Sequence, residues 1–226
     1  AFEVVGNNVD DDCDPATSDV NAAAACSAAA KFGGVGPSDM ANAMDICQVT
    51  QANAPLPTKK WGLLNASFRM ADGSVPPAAV LATIQSSQTA ILQNYGTGGV
   101  APHKGATMAG ISSGWMRDAN DPGYAGTATS FVFSATPPPP AYLAAHGGNL
   151  PSSAGCSGNC PAGSNAYDPV NLRLQLRVPT NAKSFSYDFR FFSAEYWSWQ
   201  CTSYNDFYLA ILQTGAPGLP ADKNIT

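Results

Sequence analysis

Two neighbouring segments towards the C-terminal end of the chain alternate strictly between apolar and polar residues, and this pattern constrains the fold most. The segments are NLRLQLRV (171–178) and SFSYDFRF (184–191). Because successive side chains of a strand point to opposite faces, each segment predicts a strand with one buried face and one face in water. We expect the residues PTNAK between them to join the two strands as an antiparallel pair, with a third strand in FYLAIL (207–212).

The composition agrees with a chain of many short strands and turns. Only 12% of the 226 residues are charged, whereas Gly (21) and Pro (18) are plentiful. Together with the two-faced strands, this predicts a mainly β fold over residues 51–226, an antiparallel β-sandwich of the jelly-roll type. The segment PPAAVLATIQSSQTAIL (76–92) fits either a helix or a strand, and both alternatives stay open. Further strand candidates are KWGLLNASFRM (60–70), QTAILQNYG (88–96), TMAGISS (107–113) and SFVFS (130–134).

Residues 1–50 differ from the rest of the chain and predict a short helical segment after an acidic stretch. VNAAAACSAAAKFGG (20–34) favours a helix because Ala has the highest helix propensity, and its Gly pair would end the helix. GPSDMANAMDIC (36–47) predicts a second helix that begins at Pro37 and Asp39. We therefore divide the chain into an N-terminal segment (1–50) and a β domain.

The six cysteines predict disulfides and an oxidising compartment, so secretion to the extracellular space or cell surface is the simplest interpretation. We expect Cys156 to pair with Cys160 and to pin a long loop over residues 136–164. One further bridge is then expected inside the N-terminal segment, and another from that segment to the turn at Cys201. The cysteines that remain for these two bridges are Cys13, Cys26, Cys47 and Cys201.

The charge distribution argues against two classes of partner. The net charge is −5, and the 11 Lys and Arg residues form no basic cluster, which disfavours nucleic acid and anionic membrane surfaces. No apolar run approaches the roughly 20 residues that a membrane-spanning helix needs, so no transmembrane segment is expected.

One long stretch carries a resemblance to a known family. YDPVNLRLQLRVPTNAKSFSYDFRFFSAEYWSWQCTSYNDFYLAIL, with GISSG upstream and PADKNIT downstream, resembles the choice-of-anchor L domain of bacterial secreted and surface proteins, especially those of myxobacteria. The resemblance covers roughly residues 58–226. It implies a module that sits beside varied cell-surface anchors and has no general enzymatic activity. In similar proteins the chain continues past the position of Thr226, so we expect this chain to stop before its final strand or strands.

The acidic segment VDDDCDPATSD predicts a calcium site. Ca²⁺ takes about six to eight oxygen ligands, and a chain that wraps around it supplies them from alternating positions. The segment also resembles the DxDCDG calcium-binding motif of surface proteins, although Pro15 stands where that motif has Gly. The alternative is a solvated acidic turn held by Cys13. The candidate ligands are Asp10, Asp12, Asp14 and Asp19.

A second candidate metal site lies in FFSAEYWSWQCTSYNDF, where Glu195 precedes the pair Asn205 and Asp206. Glu195 is flanked by aromatic residues, and a buried carboxylate needs hydrogen-bond donors or a metal. Glu195 and Asp206 either bond to backbone groups and fix the crossing between two strands, or ligate one Ca²⁺ with Asn205.

The same stretch offers a binding surface. Trp197 and Trp199 are two residues apart, so in an extended turn both side chains project the same way, as a platform for a sugar ring or an apolar partner requires. The alternative is that the two Trp cover the open end of the sandwich, because large aromatic side chains are usually buried.

GISSG (110–114) matches the G-x-S-x-G nucleophile elbow, with Ser112 as the nucleophile. The elbow needs a strand, a sharp turn and a helix, followed by Asp and His later in the chain. Of the two His, only His146 lies downstream, and WMRDANDPGYAG predicts a poor helix. A strand end followed by a turn is therefore the favoured interpretation.

These observations favour a calcium-stabilised, adhesion-like binding or structural module that recognises a surface glycan or a protein. Two alternatives remain. The first is an extracellular hydrolase that uses Ser112 with His146, or Glu195 with Asp206 in glycoside hydrolysis. The second is a self-assembling subunit whose incomplete sheet edge is filled by another chain.

Overall fold

The computed structural model of the chain describes residues 13, 26, 28–55, 59–124, 134–150, 160–178, 182, 184–194, 199 and 201–226. These residues are β-rich with few helices, and they belong to two compact units. Unit 1 comprises Ala1–Arg69, Pro76–Phe131 and Val170–Tyr187. Unit 2 comprises Met70–Val75, Val132–Pro169 and Asp188–Thr226.

Unit 1 contains two small antiparallel sheets and two short helices among its described residues. The strand β3 lies between β1 and β4 in one sheet, and β2 pairs with β7 in the other. The elements of this unit are β1 (Lys31–Phe32), α1 (Pro37–Ala43), β2 (Gly62–Arg69), α2 (Ala78–Thr83), β3 (Thr89–Leu92), β4 (Met108–Ile111) and β7 (Asn171–Arg177).

The helix α1 begins where the sequence predicts it. Pro37 occupies its first turn, and the Asp39 carboxylate accepts the Gly36 N–H at 2.8 Å, which satisfies a donor that the helix leaves open. The helix predicted over residues 20–34 is wrong in its described part. Lys31–Phe32 form β1 instead, and Gly33 and Gly34 turn the chain with φ angles of 98° and 61°.

The ambiguous segment 76–92 contains both a helix and a strand. α2 passes into a π-helical segment, Ile84–Gln88, which leads directly into β3. The Thr89 hydroxyl donates to the Ile84 carbonyl at 2.7 Å and caps this wider turn. β3 is buried at every position, so its apolar run is a central strand rather than a two-faced one.

The predicted strand 171–178 forms, but with a different partner. β7 pairs antiparallel with β2, from Gly62 opposite Arg177 to Arg69 opposite Asn171, with an irregularity between Leu63 and Asn65. Residues 184–191 form no strand in the part of the chain that the structure describes, so the predicted hairpin with them is wrong. Alternation specifies two faces, but the hydrogen-bonding partner is a distant segment that alternation does not identify.

The interior of unit 1 is built from apolar side chains on β3, α1 and the π-helical segment. Ala90, Leu92 and Met116 form one cluster, against which Phe32, Tyr95 and Met108 pack. Other fully or nearly fully buried side chains are Val35, Met40, Ile84 and Ile91.

Arg117 is buried in unit 1 and binds backbone carbonyl groups instead of a carboxylate. Its guanidinium donates to the carbonyl oxygens of Ser86, Thr89, Met116 and Pro122 at 2.8–3.3 Å. The guanidinium carbon lies 5.2 Å from the centre of the Phe32 ring. Burial lowers the pKa of Arg117, although the guanidinium stays charged. The side chain therefore connects the π-helical segment and β3 to the loop after β4.

Unit 2 contains the remaining elements: β5 (Ala135–Thr136), α3 (Pro140–Ala145) and β6 (Ala166–Tyr167). β5 pairs antiparallel with β6, and an isolated bridge joins Ile211 to Asn224. α3 lies inside the loop predicted over residues 136–164, where the sequence analysis had no helix. The strand predicted over 207–212 is reduced to this one bridge, and its residues are half-buried rather than buried.

The described residues thus agree with the mainly β class. The sandwich of jelly-roll type is a finer prediction than this class. Residues 130–133 of the strand candidate SFVFS lie outside the described residues. Among the described residues, no helix is long and apolar enough to cross a bilayer.

Candidate binding surface

Three exposed aromatic rings meet in unit 2. The ring centroid of Tyr204 lies 5.4 Å from that of Tyr167 and 5.6 Å from that of Trp199. Trp199 meets Tyr204 edge-on at 77°, and Tyr167 is tilted by 49°. The exposed fractions are 49% for Tyr167, 51% for Trp199 and 47% for Tyr204. We call these three residues the aromatic surface.

The backbone beneath the aromatic surface is held by a cross-link and by local hydrogen bonds. A disulfide joins Cys160 to Cys201, so it connects the approach to β6 with the turn that carries Tyr204. The Thr202 hydroxyl lies 2.8 Å from the Trp199 carbonyl oxygen and accepts the Tyr204 N–H at 3.2 Å. These contacts restrain the backbone at Trp199 and Tyr204 before any partner binds, which lowers the entropy cost of binding.

A close backbone approach also supports this region. A Cβ atom on Gly163 would lie 2.7 Å from the Ser203 carbonyl oxygen, so a side chain at this position would displace the turn. The Gly163 carbonyl accepts the Leu150 N–H at 2.9 Å. The glycine therefore allows the loop before β6 to lie directly against the turn at residues 201–204.

Such an arrangement suits a ligand with both apolar and polar faces. Aromatic rings stack on apolar C–H groups, while the Tyr hydroxyls and the Trp indole N–H hydrogen-bond to polar groups nearby. Trp and Tyr also dominate the binding energy at many interfaces. A pyranose ring presents both kinds of group, C–H bonds on its faces and hydroxyls around its rim.

The sequence-predicted platform is found in part. Trp199 is exposed, as the platform alternative requires, whereas Trp197 and Glu195 lie outside the described residues. Sequence reasoning missed Tyr167 and Tyr204 as members of the surface. Tyr204 stands three residues after Cys201, and this proximity to a cross-linked cysteine was the available signal. No local pattern links Tyr167 to the other two rings.

Asp206 lies close to a residue from the other end of the same stretch. The Ser193 hydroxyl donates to its carboxylate at 2.9 Å, so the two ends of the excursion from 193 to 206 are tied together. This agrees with a role in organising the turn. No group of three or more His, Cys, Asp or Glu side chains that would hold a metal ion occurs among the described residues, Asp206 included. The candidate calcium ligands Asp10, Asp12, Asp14 and Asp19 lie outside the described residues.

The GISSG segment is a strand end followed by a turn. Ser112 comes directly after β4, its hydroxyl accepts the Gly114 N–H at 2.9 Å, and residues 112–124 form bends and turns. Gly110 is required by packing, because a Cβ there would lie 2.8 Å from Leu92 and 2.9 Å from Met116. The first glycine of the motif thus has a structural explanation in unit 1.

His146 is engaged within unit 2. Its ring stacks on Tyr142 with centroids 4.2 Å apart, and its Nε2 lies 3.0 Å from Asp222 Oδ2. The hydrogen bonds from His146 and from the Asn224 N–H hold the pKa of Asp222 below its ordinary value. Burial, together with the charge of Asp222, raises the pKa of Tyr142.

The predicted disulfide pairing is partly wrong. Cys160 pairs with Cys201 rather than with Cys156, and no bridge joins Cys201 to the described N-terminal cysteines. The expected bridge inside the N-terminal segment is confirmed as Cys26–Cys47, and Cys13 has an exposed free thiol. Cys156 lies outside the described residues. Sequence spacing favoured the short loop, but the pairing depends on which backbone segments the fold brings within about 4.4–6.8 Å between Cα atoms.

The described residues define a β-rich, disulfide-linked chain with an exposed aromatic surface. No family model matches the chain, and no curated protein or solved structure matches it significantly. The resemblance to the choice-of-anchor L domain therefore stays a prediction.

Proposed function

We propose that the protein is a secreted or cell-surface binding module that recognises a surface glycan through Tyr167, Trp199 and Tyr204. One observation carries this proposal, the contact among three rings that each remain about half exposed. Two disulfides support the compartment, because such bonds persist in oxidising surroundings. A restrained aromatic platform needs no catalytic group and fits the adhesion-like role that the sequence resemblance implies.

The test is binding of the full chain to immobilised polysaccharides and glycan arrays, followed by substitution of the rings. Trp199→Ala and Tyr204→Ala are each expected to weaken binding at least about tenfold, which corresponds to about 1.4 kcal/mol for a lost stacking contact. Tyr124→Ala is the matched control, because Tyr124 is 45% exposed but belongs to unit 1. Absence of glycan binding, or glycan binding unaffected by both ring substitutions, would disprove the proposal.

We further propose that calcium binds the acidic segment at Asp10, Asp12, Asp14 and Asp19. The alternating carboxylates support this site, since calcium prefers several hard oxygen ligands. Removal of calcium with EDTA should lower the melting temperature, and added Ca²⁺ should restore it. Asp12→Asn with Asp14→Asn should remove the effect of EDTA on the melting temperature. A parent chain whose melting temperature does not change with EDTA argues against the site.

For the architecture we propose a β-sandwich of the jelly-roll type in a chain related to choice-of-anchor L domains. The antiparallel β2–β7 pair with alternating exposure along β7 supports it. An experimental structure of the full chain tests this proposal, and a single-layer arrangement of the strands would refute it.

A specific observation also favours the self-assembling subunit as a second candidate. In unit 2, Phe189, Phe191 and Phe192 are 46%, 49% and 59% exposed, so each offers apolar surface that a second copy of the chain can cover. Light scattering should then give a mass well above 23.3 kDa, and Phe191→Ser with Phe192→Ser should return it to that value. A monomeric parent chain at high concentration would count against assembly.

A further inference from the structure

A cavity of about 370 Å³ lies in unit 1, beside the first turns of α1. Its volume falls at the lower end of the roughly 300–1,000 Å³ that small-molecule sites occupy. It belongs to a different unit from the aromatic surface, so it is independent of the function proposed above. It is lined by Ala28, Ala29, Ala30, Lys31, Asp39, Asn42 and Ile91.

An ion pair forms one polar wall of the cavity. Lys31 Nζ lies 2.6 Å from Asp39 Oδ2, and the same carboxylate accepts the Gly36 N–H at 2.8 Å. Burial opposes the ionisation of Asp39, but the hydrogen bonds from Lys31 and Gly36 outweigh it and hold the pKa of Asp39 below its ordinary value. Both side chains are 42% exposed, so the charged groups keep donor and acceptor capacity on the cavity side.

Asn42 supplies a polar group whose hydrogen-bonding capacity is not used. It follows Asp39 by one helical turn, so both side chains lie on the same face of α1. Its Oδ1 is buried and accepts no hydrogen bond from any residue that the structure describes. A buried acceptor without a donor is unfavourable. Asn42 lines the cavity, and rotation about χ2 exchanges the positions of its amide oxygen and nitrogen, which have nearly the same shape.

The remaining walls are apolar. Ile91 is 1% exposed, and the Ala side chains present only methyl groups. The cavity therefore combines a cation, an anion and a neutral amide on one side with aliphatic groups on the other. A complementary ligand carries closely spaced groups that both donate and accept, on an aliphatic frame.

Charged ligands match this combination poorly. An anion that approaches Lys31 is repelled by Asp39, and a fully ionised phosphate or carboxylate has no proton to donate to the Asn42 oxygen. A cation that approaches Asp39 is repelled by Lys31 in the same way. A vicinal diol meets neither difficulty, because each hydroxyl both donates and accepts.

We propose that this cavity binds a single neutral monosaccharide, with adjacent hydroxyls bound by Lys31, Asp39 and Asn42 and its C–H face against the methyl groups of Ala28, Ala29 and Ala30. The site adds a second carbohydrate contact in unit 1, separate from the aromatic rings of unit 2. It needs no metal ion.

The test is a titration of the ¹⁵N-labelled full chain with glucose, galactose and mannose, read at the backbone amides of Lys31, Asn42 and Ile91. At least one sugar should shift these amides in a saturable way. Asn42→Ala is expected to weaken that binding at least tenfold without lowering the melting temperature, because it removes a buried acceptor that has no donor. Lys31→Met should weaken it to a similar extent.

Two controls keep the result specific. Asn94→Ala changes an exposed Asn of unit 1 and should leave the shifts unchanged, as should Trp199→Ala in the aromatic surface. If none of the sugars shifts these amides, if Asn42→Ala binds as well as the parent chain, or if inorganic phosphate produces the shifts instead, the proposal is wrong. Because the readout is confined to unit 1, its failure leaves the glycan site at Trp199 untouched.

Discussion

Unit 1 and unit 2 are stabilised by different means. Unit 1 buries aliphatic side chains such as Met40, Ile84 and Ile91. Unit 2 buries few large side chains, among them Tyr142 and Leu150, and exposes many of its aromatic rings.

The two kinds of stabilisation differ in how many apolar side chains they leave exposed for a partner to contact. A packed interior consumes apolar surface, because every buried side chain needs neighbours around it. A cross-linked loop region such as that around Cys160–Cys201 leaves its aromatic side chains available to a partner. Four substitutions test this contrast, in decreasing order of expected effect.

Ile84→Ala should lower the free energy of unfolding of unit 1 by about 2–5 kcal/mol, because a fully buried side chain is replaced by a cavity. Chemical denaturation gives the total loss, and hydrogen exchange locates it. The control Val49→Ala removes a side chain that is 63% exposed and should change stability by less than about 0.5 kcal/mol. Equal effects of the two substitutions would mean that unit 1 does not depend on this interior.

Cys160→Ser combined with Cys201→Ser should destabilise unit 2 by about 2–4 kcal/mol, since the bridge closes a loop with a sequence separation of 41. Cys26→Ser with Cys47→Ser is the matched variant in unit 1. Its separation is 21, which predicts a loop-entropy term smaller by about 0.6 kcal/mol.

Hydrogen exchange at residues 199–208 reports the loss in unit 2 directly. Glycan binding should fall with it, because the aromatic surface is then no longer restrained. If the backbone amides of residues 199–208 stay protected and glycan binding persists in the double Ser variant, the disulfide is not what stabilises this region.

Arg117→Lys should cost about 1–3 kcal/mol in unit 1, although the charge is kept. An ammonium group cannot reach the carbonyl oxygens of Ser86, Thr89 and Pro122 together, so buried acceptors lose their donors. Arg173→Lys on the exposed side of β7 is the control and should be nearly neutral. A neutral outcome at both positions would show that the carbonyl contacts of Arg117 contribute little.

Asp222→Asn should lower the stability of unit 2 at neutral pH and, in the same measure, reduce its sensitivity to acid. Because the folded-state pKa of Asp222 is lowered, its contribution is present above the unfolded value of about 3.9 and is lost as the pH falls through the folded pKa. The melting temperature of the variant should therefore fall less steeply below about pH 4 than that of the parent.

The matched change in unit 1 is Asp45→Asn, because hydrogen bonds from the Cys26 N–H and from Lys104 lower the pKa of Asp45. Each variant should flatten the acid response of its own unit, as read from hydrogen exchange at several pH values. An acid response that stays as steep in both variants would show that these carboxylates are not responsible for it.

Local patterns predicted the elements that depend on neighbouring residues. The β class, α1 with its Pro37 start, the strands β2, β4 and β7, and the turn after Ile111 all follow from propensity, capping and alternation. The exposure of Trp199 agrees with one of the two alternatives that the sequence left open. These features share one physical property: the interactions that specify them span only a few residues.

Features that depend on distant segments could not be predicted in this way. β7 pairs with β2 about a hundred residues away rather than with 184–191, and Cys201 pairs with Cys160 rather than with an N-terminal cysteine. Likewise, Tyr167 joins Trp199 and Tyr204 only because the fold brings separate turns together.

The sequence alone therefore specifies the kinds of element and the residues suited to a surface, since propensity and side-chain chemistry are local. Which strands pair, which cysteines bond and which rings meet is decided by the folded chain. Those contacts are selected by packing and by hydrogen-bond satisfaction over the whole unit, and no short pattern encodes them.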